Sequence, residues 1–145
     1  MIAILLFSLL VAQATTGGAA APASNCAGAD PAVVSAAVKS VSPAGTNLNE
    51  YHIGVTVTNV GGAAQSKDAL QFVDIFAGNA SEKLDAKGVP PLAVGQSYTI
   101  DYVYQRARDA GANTTTLKFT LDMRSPAGIG AQNCSAANDT FSLTF

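Results

Sequence analysis

Tyr51-His52-Ile53-Gly54-Val55-Thr56-Val57-Thr58-Asn59-Val60-Gly61-Gly62 is the stretch that decides the fold class. Tyr51, Ile53, Val55 and Val57 fall on one side of an extended chain; His52, Gly54, Thr56 and Thr58 fall on the other. Successive side chains of a strand point to opposite faces, so this period of two predicts a strand with one buried and one wetted face. Asn59 to Gly62 then ends it with residues that tolerate positive φ where a chain reverses.

Working outward, the same period recurs. Leu117, Phe119, Leu121 and Met123 alternate with Lys118, Thr120 and Asp122. Tyr98, Ile100, Tyr102 and Tyr104 alternate with Thr99, Asp101 and Val103, and Phe141, Leu143 and Phe145 with Thr140, Ser142 and Thr144. Three weaker runs fill the gaps: Ala32 to Val41, ending at Ser42-Pro43; Leu70 to Phe76, ending at Gly78-Asn79; and Lys83 to Val89, ending at Pro90-Pro91. Proline cannot donate to a ladder, so the last run is expected at a sheet edge or leaving the sheet early. No segment carries apolar residues at helical spacing over three turns. Seven short strands punctuated by turn residues predict an all-β, seven-stranded antiparallel β-sandwich, because two facing sheets bury what one layer leaves exposed.

The first 29 residues carry no charged side chain, and Ile2 to Val11 is apolar apart from Ser8. A run of ten is too short for a bilayer, which needs ~20 apolar residues. It matches the apolar core of a signal peptide, although only the free amino terminus supplies the usual positive start. Residues 1–14 therefore read as a signal peptide, cleaved at Ala12-Gln13-Ala14 or as late as Ala21-Pro22-Ala23. Residues 15–29 read as a flexible lead-in, and 30–145 as the domain, secreted, periplasmic or at the cell surface. Ala23-Ser24-Asn25 before Cys26 is no lipobox, so a lipid anchor is not expected.

Two cysteines, Cys26 and Cys134, are an even count in a chain read as exported, which favours a disulfide over two buried thiols. Strands alternating in direction place the start of the first, the finish of the sixth and the start of the seventh at one end, and both cysteines with them.

The residues also carry a resemblance. Ile53 to Gly62 resembles the strand and turn of the bacterial cell-adhesion-related domains known as CARDB. Val89-Pro90-Pro91-Leu92-Ala93-Val94-Gly95-Gln96-Ser97 is similar to that family's leucine-and-glycine turn. Leu117 to Met123 followed by Asn133 to Thr140 resembles its final hairpin. The resemblance spans most of residues 32–145. It implies an immunoglobulin-like sandwich in an exported protein and adhesion as the role. The chain departs from the pattern in standing as a lone domain, in its cysteine pair and in the few acidic residues of its final loop. The motif residues also have a physical reading: Leu92 plugs the core and Gly95 permits the turn before the fifth strand.

Chemistry is sparse. The one histidine, His52, shares a wetted face with Thr56 and Thr58, and a metal site needs several converging ligands. No G-x-S-x-G elbow occurs. Gly128-Ile129-Gly130 lacks the Lys and the strand-to-helix context of a phosphate loop. The chain is therefore read as no enzyme, with no cofactor. A weak calcium candidate, Asp30, Asp122 and Asp139, joins Asn133 and Asn138 at the cysteine end, since calcium takes oxygen ligands; the plainer role of such residues is turn capping. Four Asn-x-Ser/Thr sequons, at Asn79, Asn113, Asn133 and Asn138, fall in expected loops. The formal charge of −2 comes with no cationic run, which argues against nucleic acid and anionic membranes as partners.

What remains is a binding or adhesion module for a protein or glycan, with an assembly subunit docking through an edge strand as the alternative and a hydrolase or other enzyme a distant third. The candidate binding loop is the long final one, centred on Pro126, Gly128, Ile129 and Gly130, where Ile129 is either an anchor for a partner or a cover for the sandwich end.

Overall fold

The computed structural model describes residues 25–78, 80–108 and 113–145. The signal-peptide reading, most of the lead-in and the Asn79 sequon lie outside these residues. Seven strands follow in order: β1 (Pro31–Ala44), β2 (Leu48–Asn59), β3 (Gln71–Ala77), β4 (Lys83–Val89), β5 (Ser97–Ala107), β6 (Thr116–Met123) and β7 (Thr140–Thr144). They form two antiparallel sheets, β1-β2-β5 and β4-β3-β6-β7. The molecule is an immunoglobulin-like β-sandwich. In the constant-type immunoglobulin arrangement the fourth strand joins the first, second and fifth. Here β4 folds back on β3 instead, through a short connection in which Gly78 adopts φ 54°.

Alternation sets the core. Ile53, Val55 and Val57 of β2 face Val73 and Ile75 of β3 and Leu117, Phe119 and Leu121 of β6, all buried. A fully buried Phe or Leu of this kind contributes about 1.5–3 kcal/mol relative to exposure. Leu92 enters from the β4–β5 loop and is 1% exposed, and Gly95 turns that loop at φ 72°. At the other end Phe145 closes the sandwich, its ring 4.9 Å from that of Tyr51 and 6.2 Å from that of Tyr104.

Three details differ from the sequence reading. β1 continues through Pro43 to Ala44, because an edge strand tolerates a missing donor and the turn at Gly45, φ 67°, lets the hairpin run on. On β3 the rings of Phe72 and Phe76 lie outside the sandwich, under Arg124 and Lys118 at 4.3 and 4.9 Å, with Asp74 between them paired to Lys83 and Arg124. Finally, Gly61 and Gly62 do not use positive φ, and neither does Asn59. Gly61 is required by close approach: a Cβ there would strike the Gly28 carbonyl and come within 2.7 Å of the Asp30 nitrogen.

Candidate functional site: the disulfide-bearing end

Four segments converge at the end where β1 begins: residues 25–30, the β2–β3 loop, the β4–β5 loop and the β6–β7 loop. Asn59, fully buried, is the hub that joins three of them. Its Oδ1 accepts from the Asp30 and Gly61 backbone N–H groups at 3.0 and 3.1 Å. Its Nδ2 donates to the Ala63 and Leu92 carbonyls at 2.9 and 3.1 Å. Every hydrogen-bonding site a side-chain amide offers for near-linear bonds is thereby used.

A second amide pair extends the lock. Gln65 and Gln71 exchange hydrogen bonds at 3.0 and 2.8 Å; Gln65 also accepts from the Leu92 N–H, and Gln71 donates to the Pro90 carbonyl. Gln132 ties in the final loop, accepting from the Ser66 N–H at 2.6 Å and donating to the Ile129 carbonyl at 2.9 Å. The Cys26–Cys134 disulfide, with Cα atoms 6.3 Å apart, joins the lead-in to the same loop. Sequence reading missed Gln65, Gln71 and Gln132. A glutamine in a loop carries no local signal that its partner lies on another loop.

Asp30 is fully buried. Its carboxylate accepts from the Ser135 N–H and from Asn138 Nδ2, both at 3.0 Å. Asp139 accepts from Asn133 Nδ2 at 2.8 Å. Burial first, with the neighbouring Asp30 charge adding to it, pushes the Asp139 carboxyl above its ordinary value, while the Asn133 amide opposes the shift. Asp122 is not part of this group. It points outward from β6 and pairs with Arg124 at 2.7 Å. The calcium set of Asp30, Asp122 and Asp139 is therefore not assembled: the three share an end of the molecule, but alternation along β6 turns Asp122 to the outer face. Among the described residues no three His, Cys, Asp or Glu side chains gather to hold a metal. Asn133 and Asn138 are committed to the carboxylates, so of the described sequons only Asn113 is exposed.

Asp139 gives a pH test. A carboxyl raised on folding binds its proton more tightly in the native state, so its contribution favours folding at low pH and is lost as pH rises through the folded value. Asp139→Asn keeps an acceptor for Asn133 and removes that dependence. The variant is expected to melt at higher temperature than the wild type at neutral pH, the gap closing as pH falls toward 3.8. A gap that is constant with pH would exclude this account.

Around the locked base the loops expose apolar side chains beside the open Lys67–Asp68 ion pair of the β2–β3 loop. Val94 is 55% and Leu70 48% exposed. Pro126, Ala127, Gly128 and Gly130 are exposed and Ile129 is half-buried, between Gly128 at φ 96° and Gly130 at φ 77°. Elsewhere, His52 Nε2 donates to the Glu50 carboxylate at 2.9 Å on the outer face of β2, its side chain 45% exposed. Among the described residues no helix is long and apolar enough to cross a membrane. Compared with protein-family models, with curated proteins and with solved structures, the chain matches none.

Proposed function

We propose that this chain is an exported, non-catalytic module of the CARDB type that adheres to a protein or glycan through the loops of its disulfide-bearing end. One observation carries the reading. The bases of these loops are tied together by Asn59, Gln65, Gln71, Gln132 and the Cys26–Cys134 bond, while the loops expose Val94, Leu70, Pro126, Gly128 and Gly130, with Ile129 half-buried among them. A recognition surface ordered before binding loses little conformational entropy on contact, and loops on a rigid scaffold are where such surfaces sit. Export rests on the apolar run Ile2 to Val11 and is supported by the disulfide. The non-catalytic reading is supported by His52, which bonds Glu50 on an open sheet face rather than a nucleophile in a cleft.

The test is capture by the immobilised purified chain from a surface-protein extract and on a glycan array, repeated with Val94→Ser and Ile129→Ser. Both substitutions are expected to weaken capture, with melting temperature unchanged within about two degrees, as for positions outside the core. If Ile129→Ser instead lowers the melting temperature by several degrees and leaves capture intact, the final loop is a cover for the core and the site is misplaced.

A further inference from the structure

Each sheet of an open sandwich has two edges, and an unpaired edge is a template for another strand. Among the described residues three of the four edges are blunted. β1 has register shifts between Val33 and Ser35 and between Val38 and Ser40, carries Lys39 and Pro43, and lies against β7. β4 has a shift opposite Ile75 and Phe76, bears Lys83 and Lys87 and runs into Pro90-Pro91. β7 has only five residues. Short length, bulges, lysine and proline are the usual protections of an edge.

β5 has none of them. Its eleven residues, Ser97 to Ala107, pair with β2 from Thr58 to Leu48 without a single register shift and contain no Pro, Lys or Gly. Its free side carries alternate N–H and C=O groups that β2 does not reach. Two large apolar side chains on it stay open, Tyr98 at 41% and Val103 at 45% exposed.

We propose that β5 docks a second copy of this chain, the two β5 strands pairing antiparallel about a two-fold axis at Val103. The two three-stranded sheets then run on as one. The occupant follows from reading the strand against itself. A two-fold axis normal to the sheet keeps each residue on its own face, so a residue meets only others of its own parity. With the axis at Val103, the open valine meets its own copy, Asp101 faces the amide of Gln105, and Thr99 faces Ala107. On the inner face Tyr102 meets Tyr104 and Ile100 meets Arg106. No like charges oppose one another in this register. Moving the axis to Asp101 sets two carboxylates face to face, and moving it to Tyr102 sets Asp101 against Val103 in both copies. Unlike a ligand-induced contact, this pairing needs no change in the strand, which is already extended along its whole length. It uses a different face from the adhesion loops and stands or falls separately from them.

Sedimentation velocity of the purified chain over a concentration series is the test. The wild type is expected to shift from monomer to dimer as concentration rises. Val103→Lys sets two ammonium groups opposite each other at the axis and is expected to weaken dimerisation by at least about tenfold. Its melting temperature at low concentration checks that the monomer still folds. As a second measure, Val103→Cys is expected to cross-link to its own copy with a short bis-maleimide, while Thr99→Cys, facing Ala107, is not. A wild type that stays monomeric throughout, a Val103→Lys dimer as tight as the wild type, or equal cross-linking at both cysteines overturns the proposal. A monomeric Val103→Lys that still captures a surface partner leaves the adhesion reading standing; capture lost only through Val94→Ser leaves the dimer standing.

Discussion

Asn59→Ala is expected to cost about 4–6 kcal/mol of folding stability, enough to unfold much of the population of an ordinary domain. The estimate follows from what the amide holds. Truncation leaves the Asp30 and Gly61 N–H groups without an acceptor and the Ala63 carbonyl without its side-chain donor, while the Leu92 carbonyl keeps only the Gln65 N–H. Each unsatisfied buried group costs about 1–3 kcal/mol, with some recovered by relaxation. Relaxation is restricted here, because Gly61 already lies against the Gly28 and Asp30 backbone and the chain has no room to close in. Asn59→Asp separates the halves of the network. It keeps an acceptor for the two N–H groups but turns a charged oxygen toward two carbonyls, so it is expected to destabilise at neutral pH and to recover in part when protonated. Urea denaturation with the slope held constant measures both. A loss below 1 kcal/mol for Asn59→Ala would mean that the loops close without this residue.

The second large effect is opening the disulfide. Cys26 and Cys134 are 108 positions apart. In the chain-entropy account a closed loop of about that size restricts the unfolded state by about 4–5 kcal/mol. Reduction, or Cys26→Ser with Cys134→Ser, is expected to lower stability by about that amount while leaving the β-sheet spectrum at low temperature unchanged. The fold should persist because Asp30 remains tied through Asn59 on one side and through Ser135 and Asn138 on the other. The comparison that decides is the urea midpoint with and without reductant. A shift of less than about 1 kcal/mol would place the stabilisation in those hydrogen bonds and not in the cross-link. The Asn59 and cysteine changes act on the same end, so their effects are not expected to add.

The strands were legible because alternation is a local property. Val55 and Val57 face inward for a reason that involves only their own backbone, and the same holds for Leu117, Phe119 and Leu121. Leu92 and Gly95 were legible as a plug and a turn for the same reason, and the end shared by the two cysteines followed from strand count. Gly61 was read as a glycine that permits positive φ, but it serves close approach instead: a turn residue and a close-approach residue look alike until the neighbouring segment is in place. Asp122 was assigned to the right end and the wrong group, since the end depends on strand direction and the group depends on which face the side chain takes.

By itself, then, the sequence determined the class of fold, the strands and the end at which the chain is cross-linked, because period, turn chemistry and parity all act over a few residues. Only the tertiary structure decided that β4 sits beside β3, that Asn59 reaches three segments at once, that Gln65 meets Gln71, and that β5 forms a sheet edge among the described residues. These depend on which segments far apart in the chain become neighbours, and loop residues such as Gln132 acquire their partners only when the sheets have packed.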